Sequence, residues 1–180
     1  EKIDKRILRF MGPGAAYAHI AMCQAIQDAG LESKDVVNYR TGLIAGSGGP
    51  STSSILAAHH TVLAKGSSKR IGPFVVPQHT SSTVSANLAT AFQIKGINYS
   101  ITSACSTSLH CIGAASEQIQ MGKQDVMFAG GAEELDWTLS CLFGAVESMS
   151  AEYTETIWKA TKAFEPVRDG FAVAGGGGIV

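Results

Sequence analysis

The sequence predicts an α/β fold in which a mostly parallel sheet is covered by helices on both faces. Short apolar segments with the length of buried strands alternate along the chain with longer segments whose apolar residues have helical spacing. The chain has 180 residues, 45% hydrophobic and 16% charged, and can therefore enclose a sizeable core. The alternation favours parallel pairing, because a crossover between parallel strands places a helix on one face of the sheet.

The first third of the chain is predicted to contain two helices and one strand. Pro13 suits the first turn of a helix, and the apolar spacing from Ala15 to Ala29 ends at Gly30, a residue typical of helix ends. The segment from Thr41 to Ala45 predicts a short buried strand. The segment from Ser51 to Lys65 is predicted to form the next helix.

The middle of the chain is predicted to contain a short extended segment followed by a helix. Two prolines bracket the segment from Pro73 to Pro77, which is therefore expected to be extended. The segment from Gln78 to Phe92 is rich in Ser, Thr and Ala and predicts a tightly packed helix that ends near Gly96. An apolar and β-branched run beginning at Tyr99 then leads to a group of small residues.

The last third of the chain alternates in the same way. Apolar residues recur at helical spacing before Gly122, at Leu109, Ile112, Ala115 and Ile119. Asp125 to Ala129 predicts a buried strand, and Trp137 to Val146 predicts a helix. The sequence stops at Val180 inside an apolar run, so we expect it to be part of a longer protein.

Cys105 is the candidate nucleophile. It lies where the β-branched run gives way to a helical pattern, at or near the first turn of the predicted helix. Unpaired backbone N–H groups and the positive end of the helix dipole stabilise a thiolate there, and the thiolate is the reactive form. Local context alone leaves a second interpretation open, that of a buried free cysteine. The second interpretation is the one applied to Cys23, Cys111 and Cys141.

The sequence Gly46-Ser47-Gly48-Gly49-Pro50 raises the question of a nucleotide-binding loop. No Gly-Lys-Ser/Thr sequence follows it, and Ser51 stands where a dinucleotide fingerprint would have its third glycine. A tight turn beside a pocket is therefore the favoured interpretation.

Composition excludes several other classes of function. The net charge of -1 argues against generic nucleic-acid binding. No apolar segment approaches the roughly 20 residues that span a bilayer, and no signal peptide is evident, so a cytoplasmic setting without a membrane is expected. The four cysteines lack metal-like spacing, which predicts neither a metal site nor a disulfide framework, and no motif calls for a cofactor.

Two clusters of basic residues remain after these exclusions. They are Lys2, Lys5, Arg6 and Arg9 near the start, and Lys65, Lys69 and Arg70 further on. Each fits either a solvated surface or a site for an acidic partner, and proximity of the two clusters in space would favour the partner.

Five longer motifs point to a known family, which the preceding arguments from individual residues do not identify. They are Gly42-Leu43-Ile44-Ala45-Gly46-Ser47-Gly48-Gly49, Ile101-Thr102-Ser103-Ala104-Cys105-Ser106-Thr107-Ser108, Glu117-Gln118-Ile119-Gln120-Met121-Gly122-Lys123-Gln124-Asp125, Ala129-Gly130-Gly131-Ala132-Glu133-Glu134 and Arg168-Asp169-Gly170-Phe171. In these motifs the chain resembles the β-ketoacyl-acyl carrier protein synthases of the synthase I type, the condensing enzymes of fatty-acid synthesis. The similarity runs along essentially the whole chain.

The resemblance implies a thiolase-like layered α/β/α/β/α fold made of two related halves. Residues 1–180 would be most of the first half, without the first strand and the second half. The second half would supply two histidines that assist decarboxylation and a Gly-Phe-Gly-Gly turn that contributes to the oxyanion hole. None of the five histidines of this chain matches a catalytic histidine of the family.

The resemblance also implies roles for individual residues. Cys105 would carry the acyl chain in a Claisen condensation with malonyl-acyl carrier protein that adds two carbons. Phe143 matches a family residue that gates the acyl channel, Phe171 matches one beside the nucleophile, and Gly49 matches a position that lines the pocket. Thr80 matches a position that, in the homodimers of the family, one subunit contributes across the interface.

Further matched positions concern the end of the pocket and the carrier protein. Ile55 and Leu142 replace polar groups of the best-known synthase I pattern, which predicts an apolar pocket end. Arg6 and Arg9 match basic positions that dock the acidic carrier protein, with Lys69 as a third.

Two other functions stay open on the sequence. One is a thiolase-like acyltransferase acting on coenzyme A thioesters, which the missing half would distinguish. The other is a non-catalytic partner subunit of a condensing enzyme, against which the presence of Cys105 argues. A nucleotide-binding module is a more distant alternative.

Overall fold

A computed structural model describes residues 3–153 and 155–180. The helices are α1 (Lys5–Leu8), α2 (Pro13–Asp28), α3 (Ser33–Val36), α4 (Thr52–Lys65), α5 (Val75–His79), α6 (Thr83–Phe92), α7 (Thr107–Gln120) and α8 (Trp137–Ala145). The strands are β1 (Thr41–Gly46), β2 (Asn98–Tyr99), β3 (Val126–Glu133) and β4 (Gly176–Ile179), and 3₁₀ turns occur at Ser68–Arg70 and Ile157–Lys159.

The described strands form one sheet in the order β2-β1-β3-β4. Strand β1 pairs in parallel with β2 and β3, and β4 runs antiparallel to β3. Leu43 of β1 lies opposite Phe128 of β3 in this register. The predicted α/β class with a mostly parallel sheet is therefore confirmed.

Helices cover both faces of the sheet, which explains why every residue of β1 is buried. On one face Leu43 and Phe128 pack in a cluster that includes Met22 of α2 and Leu88 of α6. On the other face Ile44, the next residue along β1, packs in a cluster with Cys111 and Ala115 of α7 and Ala129 of β3. The alternation follows from the two-residue period of a strand.

The predicted helices near Pro13, Ser51 and Trp137 are confirmed. The prediction that the segment from Pro73 to Pro77 is extended is wrong. Helix α5 begins at Val75 and places Pro77 in its first turn, where a missing N–H costs no helical hydrogen bond. The long helix predicted from Gln78 to Phe92 is also divided. Thr80 has an extended ψ of 149°, so α5 ends there and α6 begins only at Thr83.

The strand before Cys105 is much shorter than the sequence pattern suggests. Ser100 follows β2 directly, and its hydroxyl donates to the carbonyl of Ala45 on β1 at 2.8 Å. Strand β3 is longer than predicted, because it continues through Gly130 and Gly131 to Glu133. None of the described helices is long and apolar enough to cross a bilayer.

Candidate active site

Cys105 lies on a turn that leads into α7. Ser106 is the cap residue of this helix, so Cys105 stands just outside the first turn rather than within it. Ala104 takes a left-handed φ of 51°, and its carbonyl accepts hydrogen bonds from the Thr107 hydroxyl at 2.7 Å and the Thr107 amide at 3.1 Å. The Thr107 hydroxyl also accepts from the amide of Ser103 at 2.9 Å. Thr107 thereby fixes the backbone on both sides of the exposed Cys105.

The glycine-rich segment after β1 packs directly against this turn. A Cβ atom at Gly46 would collide with the carbonyl of Ile101 and come within 2.8 Å of the Thr107 methyl group. A Cβ atom at Gly48 would come within 3.2 Å of the Ala104 carbonyl oxygen. The lack of side chains here is what allows two backbone segments to approach, in agreement with a tight turn beside a pocket.

Two adjacent carboxylates at the end of β3 hold the glycine-rich segment in place. Glu133 accepts a hydrogen bond from the amide of Gly48 and another from the hydroxyl of Ser47 at 3.1 Å. The Ser47 hydroxyl also contacts the carbonyl of Gly49 at 2.8 Å. Glu133 therefore connects the end of β3 to the loop that approaches Cys105.

Glu134 binds the beginning of α4 and is only 5% exposed. Its carboxylate accepts from the hydroxyls of Ser51 (2.6 Å), Ser53 (2.9 Å) and Thr52 (3.0 Å) and from the amide of Ser53 (3.0 Å). Burial opposes ionisation of this carboxyl, but the hydrogen bonds from Ser51, Ser53 and Thr52 outweigh burial, so the pKa of Glu134 lies below its ordinary value. The helix end that a phosphate would need is thus occupied by a carboxylate, which argues further against nucleotide binding.

A cavity of about 500 Å³ lies beside Cys105. Gly49, Phe143 and Phe171, three of the residues singled out from the sequence, line it together with Cys105. The remaining wall comes from Gly48, Pro50, Thr52, Ala104, Glu133, Glu134, Leu139, Leu142, Ala172, Val173 and Ala174. The wall near Phe143 and Phe171 is apolar, and the glycine-rich loop supplies backbone groups.

Thr80 and Ile55 are not among the described residues that line this cavity, whereas Leu142 is. Thr80 ends α5, and Ile55 lies on α4 with 42% of its surface exposed. The sequence placed Ile55 at the deep end of the pocket, and this chain alone does not bring it there. Leu142 does contribute an apolar side chain to the wall.

Lys2 lies outside the described residues, and the other members of the two basic clusters lie on the surface. Arg6 forms an exposed ion pair with Asp4 at 2.7 Å. The guanidinium of Arg9 lies 5.2 Å from the ring centroid of Phe10 and 5.0 Å from that of Phe74. Since Phe74 closely follows the 3₁₀ turn that contains Lys69, the structure brings Arg9 next to the segment that carries the second basic cluster.

The other cysteines differ from one another. Cys111 is buried, as predicted, and burial raises the pKa of its thiol. Cys23 is half-buried. Cys141 is exposed, so the prediction that it is buried is wrong. It lies on α8, a helix without a fully buried residue.

Sequence reasoning assigns no role to Glu133, Glu134 or Thr138, although all three shape the site. The hydroxyl of Thr138 lies 2.7 Å from that of Thr52 and thereby joins α8 to α4. The available signal was position, because Glu133 and Glu134 lie at the carboxyl end of β3 in a mostly parallel sheet, where sites in α/β proteins are concentrated.

A mostly parallel, helix-covered sheet with a cysteine turn at the carboxyl end of its strands defines an α/β protein with a candidate thiol nucleophile. Residues 1–180 match the sequence profile of the family described as "Beta-ketoacyl synthase, N-terminal domain". The chain therefore belongs to that family.

Curated relatives and solved structures agree with this assignment. The chain is 51% identical over its full length to 3-oxoacyl-[acyl-carrier-protein] synthase 1 of Haemophilus influenzae and 50% identical over 99% of its length to the Escherichia coli K12 protein of the same name. It spans 44% of the length of each of these relatives.

Among solved structures, a beta-ketoacyl synthase from Burkholderia phymatum is 31% identical, with a TM-score of 0.85 over 98% of this chain and 43% of that one. A type II polyketide ketosynthase, solved in complex with its acyl-carrier protein, is 25% identical, with a TM-score of 0.74 over 91% of this chain and 42% of that one.

Proposed function

We propose that the complete protein carrying this chain is a β-ketoacyl-acyl carrier protein synthase, with residues 1–180 forming most of its first half. The observation that carries the proposal is the placement of Cys105 on a fixed turn beside a largely apolar cavity lined by Phe143 and Phe171. An apolar cavity next to a thiol suits an acyl chain held as a thioester, since it binds the chain and limits hydrolysis. The two curated relatives are named 3-oxoacyl-[acyl-carrier-protein] synthase 1, which supports the proposal that the complete protein is a synthase of this kind.

The proposed chemistry has two steps. The Cys105 thiolate attacks the carbonyl carbon of an acyl-carrier thioester, a tetrahedral oxyanion forms, and the carrier thiolate departs and takes a proton. The N–H of Cys105 would donate one oxyanion hydrogen bond, worth roughly 3 to 4 kcal/mol in related sites. Malonyl-carrier protein then loses carbon dioxide, and the electron pair left on carbon forms the new C–C bond as the Cys105 thiolate is released. The histidines that assist this step would belong to the second half.

We propose that the docking partner is acyl carrier protein and that Arg6, Arg9 and Lys69 receive its acidic surface. Arg9 is held by cation–π contact with Phe10 and Phe74, which presents its charge in a defined position. The ketosynthase solved with its acyl-carrier protein supports a partner of this kind.

We propose a homodimer as the active assembly. Strand β2 is the open edge of the described sheet, and Tyr99 on it is 41% exposed. The segment from about Ile97 to Thr102 would pair with its twofold mate, and Thr80 would reach the neighbouring pocket. A cytoplasmic setting is also part of the proposal, and the free thiols of Cys105, Cys111 and Cys141 support it, since such thiols are usual in a reducing compartment.

The test is to incubate the complete enzyme with decanoyl-carrier protein and locate the acyl group by mass spectrometry. A mass increase of one decanoyl group on Cys105, absent in Cys105→Ala and present in Cys141→Ala, supports the proposal. Acylation elsewhere or no acylation contradicts it. Equal reaction with decanoyl-coenzyme A and with decanoyl-carrier protein would favour the thiolase-like acyltransferase instead.

A further inference from the structure

A chain of hydroxyl groups joins the two helices that border the cavity. The Thr138 hydroxyl on α8 donates to the Thr52 hydroxyl on α4 at 2.7 Å, and the Thr52 hydroxyl donates to a carboxylate oxygen of Glu134 at 3.0 Å. We call Thr138, Thr52 and Glu134 the hydroxyl relay. The condensation chemistry above makes no use of it.

One end of the relay is fixed. Glu134 is 5% exposed and is bound by Ser51 and Ser53 as well as Thr52, so its carboxylate has little freedom to move. Because hydrogen bonds to an ionised group are stronger than those between neutral groups, this carboxylate is a firm anchor for the beginning of α4.

The other end of the relay lies on α8, a helix on the surface of the part of the chain that the structure describes. None of the residues of α8 is fully buried, and Leu142 is 66% exposed. Yet α8 supplies Leu139, Leu142 and Phe143 to the cavity wall. A small shift of α8 would therefore move much of the apolar surface that an acyl chain would contact.

Asp136 also reaches the Thr138 hydroxyl, at 2.5 Å, so the single hydroxyl hydrogen is shared between Asp136 and Thr52. Asp136 additionally caps α8 by accepting from the Thr138 amide at 3.1 Å. Asp136 thus fixes the start of α8 internally, whereas the Thr138 hydroxyl forms a hydrogen bond from α8 to α4.

We propose that Thr138 is a positioning residue for acyl-chain selectivity: through the hydroxyl relay it sets the place of α8, and hence the apolar cavity wall, relative to Cys105. Thr138 does not itself line the cavity, so its effect is transmitted through Thr52 and α8. The inference rests on the proposed function, because it presumes that the cavity holds an acyl chain.

The experiment compares acylation of Cys105 by butyryl- and decanoyl-carrier protein in the complete enzyme, with the ratio of the two second-order rate constants as the readout. Thr138→Val removes the hydroxyl at nearly constant volume. It is expected to lower the ratio of the decanoyl to the butyryl rate constant about fivefold, the factor that corresponds to the loss of one hydrogen bond, if the shift of α8 slows only the longer chain. Thr138→Ser keeps the hydroxyl and should keep the wild-type ratio. Ser140→Ala, on the same helix but outside the relay, is the matched control.

Thr138→Ala removes the same hydroxyl without a new methyl group and serves if the valine variant folds poorly. Thr138→Val should lower the ratio by less in a Thr52→Val background than in the wild-type background, since the contact between the two hydroxyls is already lost there. An unchanged ratio in Thr138→Val, or an equal loss in Thr138→Ser, overturns the inference. Failure of the wild-type enzyme to acylate Cys105 would instead contradict the proposed function, so the two failures are distinguishable.

Discussion

The rings of Phe143 and Phe171 meet edge to face, with centroids 5.4 Å apart and planes inclined at 78°. Phe143 lies on α8, whereas Phe171 lies in the loop before β4, so two distant parts of the sequence form one wall of the cavity beside Cys105. Backbone hydrogen bonds hold Phe171, whose amide donates to Ser148 at 3.1 Å and whose carbonyl accepts from Ser150 at 3.0 Å. Such an aromatic pair contributes about 0.5 to 1.5 kcal/mol beyond its buried area.

Replacing Phe143 with Ala should weaken acyl transfer from long chains. The variant loses the contact with Phe171 and an apolar surface worth about 1.5 to 3 kcal/mol when buried, so acylation of Cys105 by decanoyl-carrier protein should fall about tenfold or more. The measurement is the acylation rate by mass spectrometry. Trp137→Ala changes another aromatic residue of α8 that is 64% exposed and does not line the cavity, and it should react at the wild-type rate. An equal loss in both variants would assign the effect to the helix rather than to the cavity.

Cysteine alkylation should follow the order Cys105, then Cys141, then Cys111. Cys105 and Cys141 are both exposed, but only Cys105 directly precedes the cap residue of a helix, where the positive end of the helix dipole favours attack by the sulfur. Cys111 is buried and its thiol pKa is raised by burial, so it should react most slowly. Iodoacetamide mapping by mass spectrometry on the folded, complete enzyme measures the three rates. The exposed Cys141 is the internal control, and labelling of Cys141 at the rate of Cys105 would remove the argument for activation.

The class of the fold follows from the sequence because its elements are set by local patterns. Strand β1 is apolar at every position because both of its faces are covered, and α2 begins at a proline and ends before a glycine. The failures come from interactions that no local pattern encodes. After β2 the Ser100 hydroxyl bonds to the carbonyl of Ala45, and α5 tolerates Pro77 because the proline falls in its first turn.

The site was predictable only in part, for a related reason. Cys105 is conspicuous because a helical pattern follows it directly in the sequence. Glu134 is inconspicuous because its partners lie about eighty residues earlier, so the site it builds exists only after β3 and α4 have come together. The contact between Thr138 and Thr52 has the same origin.

Reversing Arg6 and Arg9 to Glu should weaken binding of carrier protein about tenfold at low salt and flatten its salt dependence, because both charges are exposed and their attraction is long-ranged. Reaction with a small acyl thioester should be nearly unchanged. Affinity measured across a range of salt concentrations provides the test. Reversal of Lys34 and Lys123, which alters the net charge equally, is the matched control. A loss on both substrates would mean that Arg6 and Arg9 are structural, for example through the stacking of Arg9 on Phe74.

Glu134→Gln should lower stability most at neutral pH. The folded-state pKa of Glu134 is below its ordinary value of 4.5, so the carboxylate contributes stability that is fully present above that value and is lost as the pH falls through the folded-state pKa. At pH 7 the glutamine has an NH2 group in place of one acceptor oxygen, so some of the hydroxyl and amide donors around it lose their acceptor. This should lower the free energy of unfolding by about 1 to 3 kcal/mol.

Thermal unfolding of the complete enzyme at several pH values measures this effect. The difference in melting temperature between wild type and Glu134→Gln should narrow as the pH is lowered below about 4.5, the ordinary value for this carboxyl. Glu117→Gln, which changes an exposed carboxylate on α7, should give little difference at any pH. A gap that does not change with pH would mean that the charge of Glu134 is not what stabilises the start of α4.

The 180-residue chain by itself should associate and should fail to decarboxylate malonyl thioesters. Several large apolar side chains are strongly exposed in it, among them Phe164 (98%), Trp158 (76%), Leu109 (73%) and Val146 (70%). Exposed apolar surface of this kind drives association, because water is released when such surfaces meet.

Decarboxylation should be absent because the histidines expected to assist it would lie in the second half. Light scattering on the purified chain and release of carbon dioxide from malonyl-carrier protein test the two claims, with the complete enzyme as the control in both. A stable monomer would contradict the first claim, and turnover of the malonyl thioester by the 180-residue chain would contradict the second.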